Sequence, residues 1–134
     1  MTENKSSLLV SLGINVGIKT RHVKTITEAD VLLFAEVSGD SNPVHMSEEF
    51  AMKTFFRGRI VHGMLAAGLI SAAIAKLPGL VIYMSQTVKF LRPIRIGDSI
   101  TAMAEVIAKD DTKRTLQVKT TVWDDGWQIS RPSP

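Results

Sequence analysis

The spacing of apolar residues indicates helices in the first part of the chain. Thr27 and Asp30 have the spacing of a capping box at a helix start, and Gly39 suits the position just after the end of that helix. A second, short helix is expected to begin at Ser47. Residues 63–77 are apolar at nearly every position, which predicts a helix that is buried on all sides.

From residue 81 onwards the apolar and polar residues alternate, as is typical of strands. The alternation predicts three strands, at residues 81–91, 99–109 and 114–123, and an earlier extended segment is expected at residues 16–23. Residues 1–15 are expected to form a loose N-terminal arm. Helices that precede antiparallel strands, with one long apolar helix among them, predict an α+β fold in which the sheet wraps around a buried helix.

Length and composition are those of one globular domain. The chain has 134 residues, of which 45% are apolar and 22% are charged, and these values exclude disordered and fibrous classes. The absence of cysteine excludes disulfides and cysteine-based metal centres, and it is compatible with a cytoplasmic location. The net charge of +3 suggests an anionic partner, but the basic residues are scattered, so nucleic-acid binding is not expected. No membrane or targeting segment is expected either, since the apolar stretches are short or interrupted.

The loop after the first predicted helix carries a carboxylate and an imidazole. Asp40 and His45 lie five residues apart, and such a pair can divide proton transfers near neutral pH. Asn42 can hydrogen-bond either side chain, and Pro43 stiffens the turn. The structural alternative is that Asp40 and Asn42 only form a turn and that His45 lies on the surface, and the spacing alone favours this alternative. No histidine has the spacing of a metal ligand pair, so no metal site is expected.

A second candidate site lies at the start of the apolar helix. The first turn of a helix offers unpaired N–H groups, and Gly63 lets a ligand carbonyl approach that backbone closely. Gly63, Ala67 and Ser71 share one helix face, which can line a narrow acyl channel with Ser71 as its polar group. The structural alternative is that these small residues let a sheet pack closely, and that His62 is a core or hinge histidine.

Three cations lie close together in the second half of the chain, namely Lys89, Arg92 and Arg95. Such side chains can bind phosphates, although a solvated strand end is the simpler interpretation. The chain contains no phosphate-binding loop and no dinucleotide fingerprint, so nucleotide hydrolysis and hydride transfer lack support.

Together, these segments resemble the MaoC-like, or (R)-specific enoyl-CoA hydratase, family. The resemblance rests on SGDSNPVH at residues 38–45 and on FRGRIVHGML at residues 56–65. Residues 88–98 are also similar to that family's strand and turn, and the resemblance covers residues 18–123. It implies a hot-dog fold, in which an antiparallel sheet wraps around a long central helix.

The resemblance also implies an activity and a set of residues. Family members add water to a trans-2-enoyl thioester to give the (3R)-hydroxyacyl thioester, or run the reverse dehydration, without a cofactor or metal. They usually work as homodimers or as a fused double hot dog, and for a chain with one unit the resemblance implies a homodimer. The acyl carrier is coenzyme A or acyl carrier protein. By motif position, Asp40 and His45 correspond to the catalytic pair and Asn42 to a residue that holds the loop. Gly63 corresponds to the glycine whose N–H binds the thioester oxygen, and Ser71 to the site serine of the central helix.

The sequence therefore predicts a single hot-dog domain over residues 1–134 that acts as an (R)-specific enoyl-CoA hydratase of fatty acid metabolism. The alternatives are a (3R)-hydroxyacyl-acyl-carrier-protein dehydratase of fatty acid synthesis, a thioesterase, and a non-catalytic module that binds acyl thioesters. Residues 127–134 are shorter than the family's final strand and contain proline, so we expect a shortened strand at the sheet edge.

Overall fold

The computed structural model describes residues 6–10 and 14–131 of the chain. The helices in these residues are α1 (Glu28–Ser38), α2 (Pro43–Met46), α3 (Glu48–Met52) and α4 (Gly63–Ile74). The strands are β1 (Ser6–Val10), β2 (Lys19–Thr25), β3 (Val81–Ser85), β4 (Lys89–Phe90), β5 (Ser99–Asp110), β6 (Thr115–Asp124) and β7 (Trp127–Arg131). They form one antiparallel sheet with the main order β2-β5-β6-β1-β3. The α+β prediction is confirmed.

The two terminal strands lie one after the other along the same edge of β6. Strand β5 pairs with β6 over its whole length. On the opposite edge, β1 pairs with residues 115–118, and β7 pairs with residues 122–124. The short β7 therefore covers only residues 122–124 of this edge, and β1 covers residues 115–118.

This arrangement corrects two predictions. The loose arm expected over residues 1–15 is wrong for residues 6–10, because their backbone completes the edge of β6 that β7 leaves open. Residues 1–5 and 11–13, like residues 132–134, lie outside the described part of the chain. The single strand expected at residues 81–91 is instead two strands, because β3 pairs with β1 whereas β4 pairs with β7.

Helix α4 packs on β2, β5 and β6, and this contact forms the core. Its buried residues are Ala66, Ile70, Ala73 and Ile74. Ala102 and Ala104 of β5 face the core, and their small side chains let the helix approach the sheet closely. The expectation that α4 is buried on all sides is wrong, because Met64, Gly68 and Ser71 form an exposed face. The sheet covers only one side of the helix.

Helix α1 begins and ends as the sequence predicts. The Thr27 hydroxyl accepts a hydrogen bond from the Asp30 N–H at 3.1 Å, and the Asp30 carboxylate accepts one from the Thr27 N–H at 2.8 Å. Gly39 ends the helix with a φ of 80°, a left-handed conformation that glycine adopts without strain. The chain then turns directly into Asp40. None of the helices in the described residues is long and apolar enough to span a membrane.

Candidate active site

The loop that follows α1 is shaped by its own polar side chains. Asp40 Oδ1 accepts a hydrogen bond from the Asn42 N–H, and Asn42 Oδ1 accepts one from the Val44 N–H, each at 3.2 Å. Asn42 thereby caps α2, whose first residue is Pro43. The prediction that Asp40 and Asn42 form a turn is confirmed. This role does not prevent the Asp40 carboxylate from also acting in proton transfer. The second carboxylate oxygen of Asp40 has no hydrogen-bond partner within residues 6–10 and 14–131, and Asp40 is exposed.

His45 is buried, with only 9% of its surface exposed, so the surface alternative is wrong. Its Nδ1 lies 2.8 Å from the carbonyl oxygen of Ile60. A carbonyl can only accept a hydrogen bond, so Nδ1 donates, and in the neutral ring Nε2 carries the lone pair. The main-chain carbonyl of His45 accepts a hydrogen bond from Arg59 Nε at 2.6 Å, which fixes the residue from its other side.

His62 connects this loop to the start of α4. Its Nε2–H donates to the main-chain carbonyl of Asp40 at 2.9 Å. Its ring centroid lies 4.0 Å from that of His45 and 4.8 Å from that of Phe34. The side chain is 2% exposed, and its Nδ1 has no partner among the described residues. The interpretation of His62 as a core histidine is confirmed, but its link to Asp40 has no signal in the sequence.

Asp40, His45 and His62 each offer one potential ligand atom within 4.8 Å of the others. Such a set can bind a transition metal only if the free lone pairs converge. The two imidazole rings are tilted by 33° to each other, and Nδ1 of His45 and Nε2 of His62 already bond main-chain carbonyls, so each ring has only one nitrogen left for a metal. A shared water fits better, since two hydrogen bonds of about 2.8 Å that meet at one oxygen span roughly 4.5–5 Å.

A cavity of about 350 Å³ brings His45 and Gly63 together. Its other lining residues are Phe56, Ile60, Val61, Ala66, Phe90, Leu91, Arg92, Pro93, Ile94 and Ile129. Gly63 is the first residue of α4, and its N–H has no acceptor in the described residues, as expected in a first helical turn without a side-chain cap. A Cβ atom at Gly63 would lie 3.2 Å from the Phe90 ring, so a larger residue would displace that ring.

Ser71 does not line this cavity. It lies with Ala67 in a second groove of about 620 Å³, between α4 and the residues that follow β3. Gly63 and Ser71 are two helical turns apart, which is about 12 Å along the axis. The predicted small-residue face therefore does not form one channel in this chain, and a substrate contact at Ser71 stays a prediction.

Two arginines hold the site in place, namely Arg59, for which the sequence predicts no role, and Arg95, which was expected to bind phosphate or lie at a solvated strand end. Arg59 forms a two-point ion pair with Glu28, with distances of 2.6 and 2.7 Å, and this hydrogen bonding lowers the pKa of the Glu28 carboxyl. Arg95 donates to the carbonyls of Phe56, Gly58 and Arg59. Arg95 is thus neither a phosphate ligand nor a solvated strand end. These partners are 31 or more residues apart in sequence, so no local pattern identifies them.

Known proteins share this fold and these motifs. The family described as MaoC like domain matches residues 12–127. An (R)-specific enoyl-CoA hydratase from Rhodospirillum rubrum is 44% identical over 110 residues, which cover 81% of this chain and 76% of that protein. A 3-hydroxybutyryl-CoA dehydratase from Methylorubrum extorquens is 43% identical over 110 residues, covering 81% and 70% respectively.

A solved structure extends the agreement to three dimensions. The unliganded R-hydratase from Pseudomonas aeruginosa superposes with a TM-score of 0.82 at 40% identity, and the match covers 95% of this chain and 83% of that one. The predicted hot-dog fold is confirmed. With its site motifs, its fold and its sequence relatives in agreement, the chain belongs to the MaoC-like domain family.

Proposed function

We propose that this protein is an (R)-specific enoyl-CoA hydratase, which adds water reversibly to a trans-2-enoyl-CoA to give the (3R)-hydroxyacyl-CoA. One observation carries the proposal: the Asp40 carboxylate and the His45 ring lie within 4.8 Å of each other, and His45 shares a cavity with Gly63. The relatives named above are a hydratase and a dehydratase, and these names describe the two directions of one reaction.

The separation of Asp40 and His45 suits one water molecule held between them. Such a water donates one hydrogen to the free carboxylate oxygen of Asp40 and the other to Nε2 of His45, whose lone pair is left available by the Ile60 contact. As the water oxygen bonds to C3 of the substrate, Asp40 takes the proton as the main base. A proton delivered from this pair to C2 completes the addition, so the pair ends in its starting state.

Negative charge develops on the thioester oxygen while C3 is attacked. The N–H of Gly63 is unpaired at the positive end of α4 and lines the same cavity, so it can stabilise that oxygen. Losing one such donor costs about 3 kcal/mol of transition-state stabilisation. Asp40, His45 and this N–H supply both the proton transfers and the charge stabilisation. The proposal therefore requires no cofactor and no metal, and coenzyme A is part of the substrate.

The proposal includes a homodimer formed through the edge of β3. Among the described strands, β3 has a single neighbour, β1. Ile82 and Met84 of this strand are 46% and 59% exposed, and Met64 of α4 is also exposed. An apolar edge strand is an aggregation risk unless another chain covers it. A second copy that pairs antiparallel with β3 would cover this edge and the exposed face of α4.

A cytoplasmic role in fatty acid metabolism belongs to the same proposal, and the lack of cysteine is compatible with it.

The test follows the ultraviolet absorbance of crotonyl-CoA mixed with the protein, with chiral analysis of the product. Asp40→Asn and His45→Gln are each expected to fold normally and to lose at least about a hundredfold in rate. Asparagine can still accept the hydrogen bond from the Asn42 N–H, so the turn survives the first change. Asp111→Asn, in an exposed turn, is the matched control for loss of a carboxylate.

Each other outcome points to a specific alternative. Near-normal rates in both site variants would mean that the assigned site is wrong. Activity only on acyl-carrier-protein thioesters would identify the dehydratase of fatty acid synthesis. Release of free thiol would identify a thioesterase, and binding of enoyl-CoA without turnover would identify the non-catalytic module.

A further inference from the structure

Among the residues that the structure describes, Arg92 is the only lysine or arginine that lines the cavity shared by His45 and Gly63. Its guanidinium carbon lies 4.1 Å from the centroid of the Trp127 ring. The two residues are brought together by the pairing of β4 with β7, which continues in a hydrogen bond of 2.8 Å from the Leu91 N–H to the Ile129 carbonyl. The backbone pairing therefore places the guanidinium and the Trp127 ring next to each other without a ligand.

In the described part of the chain, the Trp127 ring is the contact recorded for the Arg92 guanidinium. Within the described residues, no carboxylate lies within 4.0 Å of it and its guanidinium donates no hydrogen bond. Arg59 and Arg95 differ in this respect, because Glu28 and several carbonyls occupy their donors. A guanidinium stacked on an aromatic face keeps its N–H edge free, and that edge matches the oxygens of a phosphate.

We propose that Arg92, stacked on Trp127, binds a phosphate group of the coenzyme A part of the substrate where the pantetheine arm leaves the cavity. This inference rests on the proposed function for its physiological ligand. It explains why a cation without a carboxylate partner lies at a mostly apolar cavity that is proposed to hold the thioester end. Because Trp127 restrains the side chain, less conformational entropy is lost when the phosphate binds. Trp127 itself is 60% exposed, so the stack faces solvent.

The test measures equilibrium binding by titration calorimetry, using coenzyme A, 4′-phosphopantetheine and pantetheine as probes. Arg92→Ala is expected to weaken coenzyme A binding about tenfold and to leave pantetheine, which has no phosphate, unchanged. Lys89→Ala is the matched control. It also removes one positive charge, three residues away from Arg92, but the Lys89 side chain does not line the cavity. It is expected to change binding less than about twofold.

Three further variants test the stacking. Trp127→Phe keeps an aromatic face and is expected to bind coenzyme A nearly normally, whereas Trp127→Ala releases Arg92 and weakens binding about threefold. Arg92→Lys keeps the charge without the planar fork, so its affinity should fall between those of the wild type and Arg92→Ala. Parallel kinetics with crotonyl-CoA should show the same changes in KM with kcat nearly unchanged.

The outcomes separate this inference from the proposed function. Loss of coenzyme A affinity in Arg92→Ala, with no hydration by the wild type, would support the phosphate contact and overturn the hydratase assignment. If the wild type hydrates crotonyl-CoA but Arg92→Ala binds coenzyme A as tightly as the wild type, the hydratase assignment is supported and the phosphate contact is overturned. Equal weakening by Arg92→Ala and Lys89→Ala, or weakening of pantetheine by Arg92→Ala, would overturn the phosphate contact. Weakening of 4′-phosphopantetheine as well would place the contact at the phosphate that both carriers share.

Discussion

His62 donates a hydrogen bond from Nε2 to the main-chain carbonyl of Asp40 at 2.9 Å. Since His62 is also the residue that immediately precedes α4, it links the loop of the proposed base to the helix end that carries the proposed oxyanion donor. The separation between Asp40 and the Gly63 N–H therefore depends on the His62 side chain, which has no proton-transfer step in the proposed mechanism. His62 is a positioning residue in this proposal.

Replacing His62 tests this positioning role. His62→Phe keeps an aromatic ring against Phe34 and His45 but removes the donor, so we expect kcat to fall at least about tenfold with a small change in KM. His62→Gln keeps a donor close to the position of Nε2 and is expected to recover part of the loss. Steady-state kinetics and thermal unfolding measure the two effects separately. If both variants lose activity only in proportion to lost stability, His62 has a packing role alone.

Gly63→Ala tests whether the thioester oxygen approaches the helix start. The added methyl group lies 3.2 Å from the Phe90 ring and crowds the N–H. Phe90 is 42% exposed and can shift, so we expect stability to change by less than about 1 kcal/mol. The value of kcat/KM should nevertheless fall about tenfold or more, because the carbonyl loses close access.

The double variant Gly63→Ala/Phe90→Leu separates two causes of that loss. Leucine relieves the contact with the ring but leaves the new methyl group in place. We expect kcat/KM to stay low compared with Phe90→Leu alone. Full recovery would show that Phe90 displacement, rather than a blocked oxyanion site, causes the defect.

Ile82→Lys places a charge on the exposed edge strand β3 and tests the proposed dimer. We expect sedimentation equilibrium to show a dimer for the wild type and at least a tenfold weaker dimer for the variant, because the interface would have to bury an unpaired ammonium group. Val37→Lys is the control, since Val37 is 85% exposed on α1 and is not part of β3. A wild-type monomer at all concentrations would contradict the dimer proposal.

We expect Asp124 to make the stability of the fold depend on pH. Burial, the hydrogen bond with Asp98, and the charges of Asp98 and Asp125 together raise the pKa of Asp124 from 3.8 to about 6. Between these two values the folded protein binds a proton more tightly than the unfolded chain does. The contribution of protonated Asp124 to the free energy of unfolding is therefore complete below about pH 4, and it is lost as the pH rises through about 6.

Asp124→Asn removes this titration. We expect the variant to be more stable than the wild type at pH 8, with a smaller difference at pH 4, as measured by thermal unfolding across that range. Asp111→Asn should leave the wild-type pH profile unchanged. A profile for Asp124→Asn that parallels the wild type would show that the Asp98–Asp124 pair does not control stability in this range.

Local patterns in the sequence determined much of this protein. The capping box at Thr27 and Asp30 and the left-handed Gly39 depend on residues within one helix, so they are visible before the fold is known. The alternation that predicts strands at residues 99–109 and 114–123 matches β5 and β6 to within one residue at each end, because burial on one face of a sheet repeats every second residue. The Asp40–His45 loop and the Gly63 helix start were likewise marked by short motifs.

Tertiary structure alone decided the remaining features, because they depend on residues far apart in the chain. Strand β1 forms by pairing with the part of β6 that β7 does not reach. Strands β3 and β4 are separate because β3 pairs with β1 whereas β4 pairs with β7. The contact of His62 with Asp40 spans 22 residues, and the carbonyl contacts of Arg95 span 36 to 39. The separation of Ser71 from the His45 cavity was settled by which helix face the sheet covers. Local patterns thus specify elements and reactive groups, whereas packing determines which of those groups meet.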